Sequence, residues 1–123
     1  MSSIGGGIFA VGVGAALGAW ARWGLGAWLN ERVASLPMGT LAANLAGGYL
    51  VGIAVAAFAS RHDVPVEWRL FIVTGFLGGL TTFSTFSAEN VAMLTRGEYA
   101  PALLHAGAHL FGSLALTALG IAT

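Results

Sequence analysis

Four long apolar segments, joined by short polar connections, account for almost the whole chain. They cover residues 4–29, 38–60, 70–94 and 101–122. Each is close to the ~20 residues that an α-helix needs to cross a bilayer. Most formal charges lie in or beside the connections, and only Arg22 and Glu89 lie within the segments. The pattern predicts an all-α membrane protein with four transmembrane helices in one integral membrane domain, residues 1–123.

The composition agrees with this prediction and removes several alternatives. Of the 123 residues, 57% are hydrophobic and only 8% are charged, whereas a soluble domain has roughly 25% charged residues. The absence of cysteine excludes a disulfide framework, a thiolate metal site and a cysteine nucleophile. No positive residue precedes the first apolar segment, so a secretory signal peptide is a weak interpretation of it.

The third apolar segment has an unusual middle. Its run GFLGGLTTFSTFS, at residues 75–87, contains three glycines and five hydroxyl side chains. Glycine is unfavourable in a helix, and Ser and Thr offer the backbone competing hydrogen bonds. We therefore predict that this helix breaks near its middle, at Gly78-Gly79. Because irregular backbone at membrane depth must be buried in protein or lined by water, a break predicts a functional site.

The first two segments each carry residues spaced four apart, which lie on one helix face. They are Gly14, Gly18 and Arg22 in the first segment, and Thr40, Asn44, Gly48 and Gly52 in the second. The glycines favour close helix packing. Arg22 either extends to the membrane interface or lies at an aqueous vestibule, where it attracts anions. Asn44 needs polar partners at membrane depth, so it either bridges helices or contacts a permeant species.

After the predicted break, two sets of side chains are spaced three or four residues apart. They are Phe83, Phe86 and Asn90 in one set, and Thr82, Thr85 and Glu89 in the other. An aromatic pair of this kind is typical of core or lipid contact. The row of hydroxyls that ends in Glu89 is a stronger sign of function. A carboxylate there is unfavourable unless it is protonated, paired with an arginine or close to the interface.

The fourth segment carries a polar stripe of His105, His109, Ser113 and Thr117. Histidines at positions i and i+4 can bind zinc, but no third ligand has a suggestive spacing. We therefore favour polar packing or a vestibule wall over a metal site.

The sequence contains no catalytic constellation, phosphate-binding loop or dinucleotide fingerprint, so no enzymatic activity is predicted. It offers neutral hydrogen-bond donors: Thr40, Asn44, Thr82, Ser84, Thr85 and Ser113. Such donors, with the positive edges of aromatic rings, replace part of the water shell of a small anion. Transfer of an ion into hydrocarbon otherwise costs on the order of tens of kcal/mol. The residues predict a pore for a small hydrated anion without identifying that anion.

The predicted break also suggests a cation site. Backbone carbonyls freed in a broken membrane helix can coordinate small cations. Carbonyls from two copies of the chain, meeting on a dimer axis, are therefore candidates to bind Na⁺.

The run at residues 75–87 resembles the signature of the Fluc (CrcB-type) fluoride channels. The resemblance covers the whole chain, including its length, the four segments and the GTLAAN run at residues 39–44. It implies an antiparallel, dual-topology homodimer in the cell inner (plasma) membrane, with two pathways for passive fluoride export. It also implies a structural Na⁺ at the dimer interface.

The resemblance further implies roles for individual residues. Phe83 and Phe86 present their ring edges to fluoride, and Asn44 is the pore carboxamide. The other pathway positions are Ser84, Thr85, Ser113 and Glu89, together with the donors Thr40 and Thr82. Arg22 lies in the vestibule, and the backbone carbonyls of Gly78 and Thr81 bind Na⁺. The family has tyrosine or histidine at the position of His105, so no direct pore role is assigned there.

The arginines give little preference for one orientation. Arg32 and Arg96, joined by Arg22 if it reaches the interface, lie on one side, and Arg61 and Arg69 lie on the other. Because the excess of positive charge sets orientation, this near balance predicts that copies insert both ways.

Two other functions, a drug exporter and an assembly factor, agree less well with the sequence than a channel does. A small multidrug exporter of the dual-topology class needs an acidic residue in the first span, and residues 4–29 contain none. A non-transporting assembly factor agrees with the glycine-rich faces but leaves the row of hydroxyls and Glu89 unexplained.

Overall fold

The computed structural model describes residues 3–32 and 36–123, and four helical spans in them are long and apolar enough to cross a membrane. The spans are Ile4–Leu29, Met38–Ala59, Val66–Thr95 and Tyr99–Ala122. The third span begins before its apolar segment because Val66–Arg69 forms a first, more polar helical turn. The predicted all-α architecture with four transmembrane helices is confirmed.

The third span is divided into several helical pieces. In chain order the elements are α1 (Ile4–Leu29), α2 (Met38–Ala59), α3 (Val66–Arg69), a π-helix (Leu70–Leu77), α4 (Gly78–Leu80), α5 (Phe83–Thr95) and α6 (Tyr99–Ala122). Between α4 and α5, Thr81 and Thr82 are extended, with ψ angles of 157° and 123°. The span therefore breaks near its middle.

The position predicted for the break was wrong. Gly78 and Gly79 are both helical, and the two residues that leave the helix are threonines further along. Gly79 has a packing function instead, because a Cβ atom there would lie 2.5 Å from the carbonyl oxygen of Ala15 in α1. Glycine at this position permits close helix contact, and the helix around it does not unwind.

The glycine face predicted on α1 is confirmed as a packing face. A Cβ atom at Gly14 would collide with the carbonyl oxygen of Phe71, and one at Gly18 would collide with that of Phe76. The backbone of α1 therefore lies directly against the first half of the third span. This contact fixes the segment that leads into the break.

The glycine face predicted on α2 packs on α6. A Cβ atom at Gly52 would collide with the carbonyl oxygen of Thr117, and one at Gly120 would collide with that of Tyr49. The Thr117 hydroxyl also donates to the Gly48 carbonyl at 2.9 Å. These contacts make α2 and α6 a second closely packed pair.

Polar residues define the helix ends near the connections. Asn30, after α1, caps the start of α2, because its Oδ1 accepts hydrogen bonds from the Gly39 amide at 2.7 Å and the Thr40 amide at 3.1 Å. Gly97 ends α5 with a left-handed backbone, φ 75°. That conformation favours glycine, and it lets α6 begin two residues later at Tyr99.

The buried core is small, and much of the apolar surface faces outward. Ala43 and Ala54 of α2 pack with Leu77 and Leu80 of the third span. Large apolar side chains are exposed along the spans, among them Ile8, Phe9, Trp23, Leu103 and Phe111. A soluble monomer rarely exposes so much contiguous apolar surface, whereas lipid covers it in a bilayer.

Candidate functional site

The side chain of Asn44 in α2 forms hydrogen bonds with the backbone at the break in the third span. The Thr82 amide donates to Asn44 Oδ1 at 2.7 Å, and Asn44 Nδ2 donates back to the Thr82 carbonyl at 3.0 Å. The carboxamide therefore pairs with Thr82 as a neighbouring β-strand would. Unpaired backbone groups are costly at membrane depth. Of the two interpretations of Asn44, the observed contacts support the bridge between helices.

The break withdraws helical partners from two carbonyl oxygens. In a continuous helix, the Thr82 amide would donate to the Gly78 carbonyl, and the Thr85 amide would donate to the Thr81 carbonyl. Here the Thr82 amide donates to Asn44, and the Thr85 amide donates to Thr82 Oγ1 at 3.1 Å. The Gly78 and Thr81 carbonyls, which the family resemblance implies as cation ligands, are thereby released from helical bonding.

Arg22 contacts the third span beside the break. Its Nε donates to the Gly79 carbonyl at 3.1 Å, in the last turn before the backbone becomes extended. An arginine is favourable at a helix C-terminus, where carbonyl groups lack partners. The contact gives Arg22 a structural function, and the vestibule function stays a prediction.

The hydroxyl groups predicted as hydrogen-bond donors have more than one function. Thr82 Oγ1 caps α5 by accepting from the Thr85 amide. Thr40 is only 4% exposed and donates to Glu89 Oε2 at 2.6 Å. Ser84 is exposed, and its hydroxyl lies 3.4 Å from that of Thr82. These side chains therefore do not form one continuous line of donors.

Glu89 is held by a hydroxyl and an imidazole. Oε2 accepts from Thr40, and Oε1 lies 3.1 Å from His105 Nε2. In the described part of the chain its partners are therefore not arginines, as one interpretation proposed. Hydrogen bonds of this kind compensate a carboxyl group at membrane depth.

Four aromatic rings form a cluster next to the break. The Phe86 ring stacks on His105, with centroids 4.9 Å apart and planes 12° apart. It also lies 4.6 Å from the His109 ring and 5.5 Å from the Phe83 ring. Phe83 is 79% exposed, so the cluster extends from the interior to the surface of the chain.

The break, α2 and α6 enclose a groove with a volume of about 470 Å³. The predicted site residues that line it are Asn44, Gly78, Thr81, Thr82, Phe83, Phe86 and Ser113. Those that do not line it are Arg22, Thr40, Ser84, Thr85 and Glu89. The fold thus brings the aromatic pair, the break and the polar stripe of α6 to one place.

The sequence left two residues of this site without a role. His109 lines the groove and its Nδ1 lies 3.0 Å from Asn44 Nδ2, while His105 bonds to Glu89. The sequence spacing showed no third metal ligand beside His105 and His109, but the fold brings Glu89 next to them. Ligand atoms of Glu89, His105 and His109 all lie within 4.8 Å of one another. Spacing along one helix could not reveal this, because Glu89 belongs to another helix.

Comparisons with known proteins give matches over nearly the whole chain. A family model described as "CrcB-like protein, Camphor Resistance (CrcB)" matches residues 9–121. A Bordetella bronchiseptica protein named "Fluoride-specific ion channel FluC" is 64% identical over 114 residues, which cover 93% of this chain and 88% of that protein. The proteins of the same name from Ralstonia nicotianae and Cupriavidus necator are 60% and 61% identical over 117 residues, which cover 95% of this chain and 93% of each relative.

Replacement of Asn44 by aspartate tests the contribution of its hydrogen bonds at the break. Asn44→Asp keeps an acceptor for the Thr82 amide but loses the donor to the Thr82 carbonyl and to His109. We expect a loss of about 1–3 kcal/mol in the free energy of unfolding, measured by thermal unfolding in detergent. Ser84→Ala, at an exposed position, is the control and should unfold as the unchanged chain does. Equal stability of the Asn44→Asp protein and the unchanged chain would contradict the assignment.

Proposed function

The chain belongs to the CrcB family, and we propose that it is a fluoride-selective channel through which the ion leaves the cell passively, down its electrochemical gradient. The observation that carries the proposal is the groove at the break, where neutral donors meet two phenylalanine rings. In acidic surroundings fluoride enters a cell as HF, ionises and is trapped. A channel that releases it reduces fluoride toxicity. The names of the similar proteins support fluoride as the ion.

The groove suits an anion that must bind weakly. Its polar lining comes from Asn44, Thr81, Thr82, Ser113 and His109. Among the described residues, no arginine, aspartate or glutamate lines it. Hydroxyl groups donate to an anion, and the positive edges of the phenylalanine rings attract it. Without a fixed positive charge, the ion is not held too tightly to leave, as conduction requires.

The two other functions receive less support. A proton-coupled exporter of cationic drugs needs an acidic residue that binds its substrate, and residues 4–29 contain none. The intramembrane acid Glu89 instead accepts hydrogen bonds from Thr40 and is paired with His105. An assembly factor would not need the groove at the break.

We also propose that two copies pair in antiparallel orientation in the plasma membrane. Phe83 is 79% exposed and Gly78 is exposed in the single chain, so the groove and the break lie at a surface that a second copy can cover. The near balance of arginines between the two sides supports insertion in both directions.

The break supports a structural Na⁺ at that dimer interface. Oxygen atoms are the ligands that hard cations prefer, and the Gly78 and Thr81 carbonyls have lost their helical partners to Asn44 and Thr82. The donor set therefore fits the ion. Bound by these carbonyls from both copies, Na⁺ would compensate their negative partial charges and hold the two breaks together.

Substitution of the two phenylalanines tests the channel. Phe83→Ile and Phe86→Ile remove the positive ring edges at similar hydrophobicity, so each should reduce fluoride efflux from liposomes by at least about tenfold. A fluoride electrode measures the efflux, and parallel chloride measurements test selectivity. Phe9→Ile, at an exposed position on α1, is the matched control and should conduct normally.

The unchanged chain should release fluoride rapidly without comparable chloride release. Release of neither ion from dimeric protein would overturn the channel proposal and favour an assembly factor. Normal fluoride efflux through both phenylalanine variants would leave a channel that does not use these rings.

Cysteine labelling tests the dual topology, because the chain contains no cysteine of its own. Asp63→Cys and Glu31→Cys each place one thiol in an exposed connection, on opposite sides of the membrane by the order of the spans. If copies insert both ways, an impermeant maleimide labels about half of each variant from outside intact cells. Complete labelling of one variant and none of the other would refute dual topology.

Removal of sodium tests the cation site. Replacement of NaCl by N-methyl-D-glucamine chloride at equal ionic strength should lower the Tm of the dimer by several degrees, because a bound ion stabilises the folded state. Differential scanning calorimetry in detergent measures the shift, and return of Na⁺ should reverse it. An unchanged Tm in the sodium-free buffer counts against the site.

A further inference from the structure

Two asparagines determine where the buried histidines carry their protons. Asn44 Oδ1 accepts from the Thr82 amide at 2.7 Å, so the other branch of the carboxamide is its nitrogen. That nitrogen lies 3.0 Å from His109 Nδ1. Because an amide nitrogen donates and does not accept, Nδ1 is the acceptor. The proton of the neutral His109 ring therefore lies on Nε2.

The same arrangement recurs one helical turn away. Asn90 Nδ2 donates to the Ala102 carbonyl at 2.8 Å and lies 3.1 Å from His105 Nδ1. The proton of the neutral His105 ring thus also lies on Nε2, and Glu89 Oε1, 3.1 Å away, receives it. The two histidines share one tautomer and differ in what accepts their proton.

The Nε2 proton of His109 has no acceptor within the described residues. The side chain is only 6% exposed, although it lines the groove. A buried N–H group without an acceptor is unfavourable and rare. It therefore indicates a hydrogen-bond acceptor that the described residues do not supply, next to the groove that His109 lines.

The same tautomer argues against a metal ion at this place. Glu89, His105 and His109 lie close enough together to suggest one. A metal at Nε2 needs the lone pair of that nitrogen, which requires the ring proton on Nδ1. Protons on both Nδ1 atoms would face the amide hydrogens of Asn44 and Asn90. The arrangement therefore favours a hydrogen-bond acceptor over a cation.

We propose that the Nε2–H group of His109 donates a hydrogen bond to a small anion, which is fluoride in the pathway proposed above. This inference rests on that proposed function. Ser113, one turn further along α6, lines the same groove, and the Phe86 ring lies 4.6 Å from the His109 ring. Asn44 is the positioning residue that keeps the proton on Nε2.

The carboxyl group of Glu89 lies near this donor but already has partners of its own. Each oxygen of Glu89 already interacts with another donor, Thr40 or His105.

Nitrogen NMR of the full-length protein in micelles tests the proposal. With ¹⁵N-labelled histidine, we expect the Nε2–H tautomer at His109, and its resonances should shift on addition of NaF but not on addition of NaCl at equal concentration. His62, exposed in the connection after α2, is an internal control that should not shift. A proton on Nδ1 of His109 would overturn the proposal.

Measurement of fluoride efflux tests the channel proposal independently of the His109 proposal. If the same preparation releases fluoride from liposomes but the His109 resonances do not shift on addition of NaF, the donor proposal fails and the channel proposal stands. If fluoride shifts His109 but no efflux occurs, the donor stands and the channel fails.

Two substitutions separate the donor from the packing of the ring. His109→Gln retains an acceptor for Asn44 and an N–H donor, so we expect fluoride efflux within about threefold of the unchanged chain. His109→Leu fills similar volume without a donor and should lower efflux by about tenfold or more. Thermal unfolding identifies any loss caused by misfolding. Equal efflux through a folded His109→Leu protein would contradict the proposal.

Discussion

The pairing of Asn44 with Thr82 is the interaction on which the rest of the site depends. A helix that breaks inside a membrane leaves amides and carbonyls that neither water nor lipid satisfies. One carboxamide from α2 compensates both groups of the residue at the break. The same side chain then contacts His109 on α6. A single residue therefore connects the broken backbone to two other helices.

The glycine contacts determine how the helices around this break pack. Gly14 and Gly18 hold α1 against the first half of the third span, and Gly52 holds α2 against α6. The break occurs where one of these pairs meets the other. The groove at residues 78–86 thus lies between two closely packed helix pairs.

The polar residues around the groove act as ordered pairs. Asn90 orients His105 so that its Nε2–H group donates to Glu89. Asn44 orients His109 so that its Nε2–H group has no acceptor within the described residues. Each asparagine is itself fixed by backbone groups, so neither can turn over without the loss of those bonds. A tautomer that is fixed in this way gives a neutral ring a defined donor. A neutral donor suits an anion that must be bound and then released.

The sequence by itself determined the four spans, the all-α class, the helical packing faces and the presence of a break, because hydrophobic length and the four-residue spacing of small residues are local properties of the chain. It also singled out Asn44, a residue type that is unusual at membrane depth, whereas Phe83 and Phe86 were implied by the family resemblance. Only the tertiary structure decided that the break falls at Thr81 and Thr82, since the partner that compensates it lies on another helix. The tertiary structure also decided which nitrogen of the neutral His109 ring carries the proton. The tautomer of His109 depends on the hydrogen bonds between Asn44 and Thr82. The spacing of residues along α6 gives no information about those bonds.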